Sequence, residues 1–116
     1  MVTIEQIKAE AARRGNYWFS ADTMKWWRTR VSNRVYTTNH EDVYLFVQSD
    51  APFDFERQYS VHVVDLNRLD SNLIFNLHDA TGEARRYSTR AQAHAAARKA
   101  RQSLRYDEDA CAWMSD

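Results

Sequence analysis

Two glycines and one proline in 116 residues leave few sites for tight turns or breaks, so most of the chain is expected in helices and strands. The single cysteine, Cys111, excludes an internal disulfide and suits a reducing compartment. No apolar run reaches the ~18 residues that cross a bilayer. The opening Met1-Val2-Thr3-Ile4-Glu5 also lacks the basic-then-apolar pattern of a secretory signal. No membrane association is expected, and the location is expected to be cytoplasmic. Catalytic signatures are missing too: there is no G-x-S-x-G, P-loop or G-x-G-x-x-G, and so few glycines make a phosphate-cradling loop hard to build. His40-Glu41-Asp42 holds metal-capable side chains, but three successive residues cannot easily converge on one ion, and no H-E-x-x-H accompanies them. His62 and His78 read as ordinary strand histidines, and Cys111 has no neighbouring base to make it a nucleophile. The chain is therefore expected to be a non-enzyme, without metal or cofactor.

What is present centres on Tyr17-Trp18-Phe19-Ser20-Ala21-Asp22-Thr23-Met24-Lys25-Trp26-Trp27-Arg28-Thr29-Arg30-Val31, which holds three of the four tryptophans. Ser20 reads as an N-cap whose hydroxyl accepts from first-turn amides. Asp22 then puts negative charge at the positive end of the helix dipole. Met24, Trp27 and Val31 fall on one helical face, expected to be core. Trp26 points about 100° away, on the side of Arg30, where a guanidinium can lie over the indole.

Around this stretch the expected fold is α+β: two N-terminal helices, a four-stranded antiparallel β-meander and a C-terminal helix packed on the sheet. Thr3 with Gln6 makes a capping box ahead of Ile4, Ile7 and Ala11, and Gly15 sits where a helix would stop. The central helix is expected over 21–29. Strands are expected at 31–38, 43–47, 59–63 and 73–78, with a short edge segment at 84–88. Val43-Tyr44-Leu45-Phe46-Val47 is apolar on both faces and so should be covered on both. Thr89 with Gln92 makes a second capping box, opening a helix expected to reach about Tyr106. On it Ala93, Ala96, Ala97, Ala100 and Leu104 make a narrow apolar face, and Arg90, His94, Arg98, Arg101 and Arg105 make a cationic stripe beside it. Residues 1–116 read as a single domain, 107–116 being an acidic tail.

The zero net charge conceals segregation. Residues 1–36 carry +4, 37–80 carry −6, 81–106 carry +6 and 107–116 carry −4. Three surfaces follow as binding candidates. Trp26 with Arg28 and Arg30 combines the two side chains most enriched at binding hot spots. Glu41, Asp42, Asp54 and Glu56 could imitate phosphates and occupy a basic groove of a partner. The stripe of Arg90, His94, Arg98, Arg101 and Arg105 could track nucleic-acid phosphates or dock on an acidic protein. Against these stand plainer readings: a packed indole, solvated loops and a solvated helix face.

The stretch 17–31, with Arg57-Gln58-Tyr59-Ser60-Val61-His62-Val63 and Tyr87-Ser88-Thr89-Arg90-Ala91-Gln92-Ala93, resembles a family of small uncharacterised proteins of tailed bacteriophages and prophages. That resemblance implies a small accessory protein in the cytoplasm of the host cell. It would bind and inhibit a host bacterial protein or defence complex, in the manner of an anti-CRISPR protein. The alternative is a nucleic-acid-binding module that uses the cationic stripe.

Overall fold

The computed structural model describes residues 3–15, 31–49, 59–67, 74–78 and 86–115. The central helix expected over 21–29, with Trp26, Trp27, Arg28 and Arg30, lies outside the described residues, as do Asp54 and Glu56.

Helix α1 (Ile4–Arg13) starts on its capping box: the Gln6 amide donates to Thr3 Oγ1 at 3.2 Å, and the Thr3 amide to Gln6 Oε1 at 2.9 Å. It buries Ile4, Ile7 and Ala11, the i, i+3, i+7 positions of one helical face. It stops at Gly15, whose φ of +88° is a left-handed conformation that costs a glycine nothing.

Strands β1 (Val31–Thr37), β2 (Val43–Ser49), β3 (Tyr59–Asp65) and β4 (Ile74–His78) form the expected antiparallel meander. In β2, Val43, Leu45 and Val47 face one apolar cluster and Phe46 the other, so the strand is covered on both sides. Helix α1 lies over the second cluster, with Val35, Val64 and Leu66. Helix α2 (Arg90–Ala100) lies over the first, across β2 and β3, and seats Ala93, Ala97 and Ala100 there. Methyl-sized side chains let a helix come close to a sheet, which is why this face is alanine.

Two expectations about the C-terminal part are corrected. Helix α2 ends at Ala100, six residues short of Tyr106. The turn between β1 and β2 captures the backbone acceptors that a longer helix would use internally. The Asn39 amide donates to the Arg101 carbonyl at 3.0 Å, while Asn39 Nδ2 (3.2 Å) and His40 Nε2 (2.7 Å) donate to that of Leu104. The acidic tail is also part of the fold. A short strand β5 (Arg86–Tyr87) pairs with the start of β3, and β6 (Arg105–Asp107) and β7 (Ala112–Met114) form a hairpin. Strand β7 runs parallel to β4, giving the order β1-β2-β3-β4-β7-β6. The turn of that hairpin presents the exposed acids Glu108 and Asp109. Ala112, Trp113 and Met114 are buried, and the Trp113 ring meets those of Tyr106 and His40 at centroid distances of 5.4 and 5.2 Å, the latter in a T-shaped arrangement.

Candidate partner-docking face

The cationic stripe of α2 overhangs β1 at the sheet edge. Arg90 and Arg98 are exposed, His94 is half-buried, and Arg101 donates to Thr37 Oγ1 on β1. Arg105 lies in β6 rather than on the helix, so the stripe is shorter than the helical spacing implied. The adjoining strand completes it. Tyr36 is buried, with 3% of its surface exposed, and its hydroxyl lies 2.8 Å from His94 Nδ1. The Arg34 guanidinium sits 5.3 Å from the Tyr36 ring centroid. Arg90 lies over Tyr59, 5.6 Å from the ring centroid. The His94 imidazole thus shares this face with guanidiniums from two elements. Burial first, and then the charges of Arg34, Arg90 and Arg98, push the His94 pKa below its ordinary value. The neutral form of the ring is favoured by this setting. Arg34 and Tyr36 were invisible as site residues in the sequence, where they are two positions of an ordinary alternating strand. Their i, i+2 spacing puts them on one face, but only the fold brings α2 beside it.

The acidic candidates are placed differently. Asp42 sits in the β1–β2 turn at φ 60°, and its carboxylate accepts from Arg14 Nη2 at 2.6 Å. Arg14 also donates to Glu10 at 2.8 Å and to the Leu66 carbonyl at 3.2 Å. The Leu66 amide in turn donates to the Asp42 carbonyl at 3.0 Å. Asp42 thus clasps the end of α1 to the ends of β2 and β3, with its charge answered inside the fold. The neighbouring Glu41 is exposed, and its backbone carbonyl accepts from Asn67 Nδ2 at 3.0 Å. An open cleft of about 360 Å³ beside this clasp is lined by Gln6, Ile7, Glu10, Asp42, Tyr44 and Leu66. Its two carboxylates are the ones that Arg13 and Arg14 already hold.

Elsewhere, Ser60 Oγ lies 2.9 Å from His62 Nε2, and Phe46 stacks on that imidazole. Ser60 is buried, so the contact satisfies an interior hydroxyl and its strand neighbour. Cys111 is exposed in the β6–β7 turn. Among the described residues, no three His, Cys, Asp or Glu side chains converge as metal ligands would. No helix among them is long and apolar enough to cross a membrane.

Residues 3–98 match a family of unknown function (DUF7447), and the chain belongs to that family. No curated protein and no solved structure matches it.

Proposed function

We propose that the chain is a small non-enzymatic accessory domain that binds a partner protein, and that the α2–β1 face docks on an acidic patch of that partner. One observation carries this reading. Arg90 and Arg98 are exposed and belong to none of the ion pairs formed among the described residues, which all lie at the end of α1. They flank a half-buried imidazole and two tyrosine rings, and arginine and tyrosine together are characteristic of binding hot spots. A carboxylate-bearing surface is the electrostatic complement. The overall charge of zero favours protein over nucleic acid, because the acids of 37–80 and 107–116 repel a polyanion. The narrower form of this proposal is a phage or prophage protein that inhibits a bacterial defence complex in the host cytoplasm. It is supported by the sequence resemblance at 17–31, 57–63 and 87–93.

Nucleic-acid binding is the second reading, favoured by the spacing of Arg90 and Arg98 along one helix. With Arg101 turned to Thr37 and Arg105 in β6, Arg90 and Arg98 are the exposed helix cations of the stripe, so the log–log salt slope on duplex DNA would be about −2. Two measurements decide between the readings. The first is capture from a nuclease-treated bacterial lysate by wild type and by Arg90→Glu/Arg98→Glu. The second is anisotropy of labelled random duplex at roughly physiological salt. The protein reading expects a nuclease-resistant partner lost on charge reversal, and no sub-micromolar DNA binding. Sub-micromolar DNA binding that weakens steeply with salt would overturn it.

A further inference from the structure

Helix α1 carries its charges where the helix dipole favours them, with Glu5 in the first turn and Arg13 in the last. Helix α2 departs from that rule at its start. No acid stands in its first turn, and Arg90 occupies the first helical position, at the positive end of the dipole. The amides there are already answered. The Gln92 amide donates to Thr89 Oγ1 at 3.1 Å, and the Ser88 and Thr89 amides each donate to Gln92 Oε1 at 3.2 Å. Arg90 therefore adds nothing to the cap, and its charge works against the helix.

What holds Arg90 is a ring. Its guanidinium carbon lies over Tyr59, 5.6 Å from the centroid. Tyr59 on β3 is the Cα partner of Tyr87 on β5, so both side chains stand on the same side of the sheet. Both are half-buried and pack against the cluster beneath α2. A cation–π contact at an exposed site contributes about as much as a helix-end charge of the wrong sign costs. The two nearly cancel, so Arg90 adds little net stability to the fold. A ring engages a guanidinium through its charge and not through its N–H donors, which stay available to a carboxylate. Arg98 and Lys99, about two turns further along α2, are also exposed, but no ring or acid among the described residues holds either of them.

Resting on the protein-docking reading above, we infer that Arg90, held over Tyr59 beside Tyr87, is the anchor of that face and pairs with one carboxylate of the partner protein's acidic patch, while Arg98 and Lys99 steer its approach. Tyr59 is a positioning residue: it orders a long side chain before the partner arrives, and binding then loses less entropy. The two tyrosine rings supply rigid contact area around the ion pair, the composition typical of a hot spot. Arg98 and Lys99 lack such support, and charges of that kind speed encounter more than they hold a complex together.

The test uses acetylated tetraglutamate as the probe, followed by NMR on the arginine side-chain Nε–Hε signals of the full-length chain. The inference expects Arg90 to respond more strongly than Arg98. Tyr59→Leu, which removes the ring, should weaken the peptide by about twofold to tenfold, the equivalent of ordering one flexible side chain. Tyr59→Phe, which keeps the ring, should bind as wild type does, and Arg90→Gln should melt no lower than wild type. Equal responses of Arg90 and Arg98, or a folded Tyr59→Leu chain of unchanged affinity, overturn the inference. A clearly lower melting midpoint for Arg90→Gln also overturns it, because Arg90 is then part of the fold's own stabilisation. The two readings fail separately. A chain whose Arg90 answers the peptide but which captures no nuclease-resistant protein keeps the carboxylate seat and sinks only the docking. A captured partner that is lost with Arg98→Gln yet retained with Arg90→Gln sinks only the anchor.

Discussion

Replacing Trp113 by alanine tests whether the C-terminal hairpin belongs to the core. The indole is 3% exposed and joins the cluster that holds Val61, Val63, Leu77 and Leu104. A tryptophan buries roughly 150–250 Å², and at about 25 cal/mol per Å² its burial contributes ~4–6 kcal/mol. Alanine retains part of this, and large-aromatic deletions from cores cost ~3–5 kcal/mol. Trp113 Nε1 is buried without a hydrogen-bond partner among the described residues, an interior donor that carries a desolvation cost. Removing it offsets part of the loss, so the lower end, about 3 kcal/mol, is expected. Against a typical domain stability of ~5–15 kcal/mol, the variant should still fold. Its urea midpoint by far-UV circular dichroism should drop substantially with little change in slope. Trp113→Phe, which keeps a ring and deletes the orphan donor, should lose less than half as much. A loss under about 1 kcal/mol for Trp113→Ala, the range of surface substitutions, would mean that the hairpin is an appendage and that the parallel β4–β7 pairing contributes nothing.

Three further outcomes follow from the ion pairs and from His94. Asp42→Asn tolerates the left-handed backbone at φ 60° but discards the charge paired with Arg14; a loss of about 1–2 kcal/mol is expected in urea melts, between the exposed and buried ion-pair ranges, and none at all would refute the clasp. On acidification, the unfolded chain binds a proton at His94 before the folded chain does, because the folded pKa is lowered. Stability should therefore decline from about the unperturbed histidine pKa of ~6.5 downward. His94→Gln should flatten that part of a thermal-melt-against-pH curve, whereas parallel curves would contradict a neutral, crowded imidazole. A second decline should follow below 4.5, since Arg13 and Arg14 hold Glu10 down at about 2, and Glu10→Gln should remove it.

Much of the fold can be read locally in this chain. Both capping boxes, the Gly15 stop, the two-sided burial of β2 and the alanine face of α2 are encoded by neighbours within a few residues of one another. The C-terminal hairpin is not encoded that way. Ala112-Trp113-Met114 is too short to show an alternating pattern. It follows Asp107-Glu108-Asp109, and its strand partner β4 is more than thirty residues away. The early end of α2 is likewise non-local, since the groups that stop it are Asn39 and His40. The candidate site divides along the same line. Arg90, His94 and Arg98 are visible as a helical stripe, while Arg34 and Tyr36 join them only because β1 forms the sheet edge beneath α2. Asp42 shows the converse: a charge that looks available in sequence is held by Arg14, twenty-eight residues earlier.

Site-directed photo-crosslinking tests the docking claim most directly. A photoreactive amino acid is placed at Arg98, exposed on α2, or at Glu5, exposed on α1, and each chain is irradiated in a nuclease-treated bacterial lysate. The account predicts a discrete protein adduct from position 98 that is lost when Arg90→Glu is added, and none from position 5. Adducts of equal yield from both positions, or an adduct from position 98 that disappears on nuclease treatment, would contradict it.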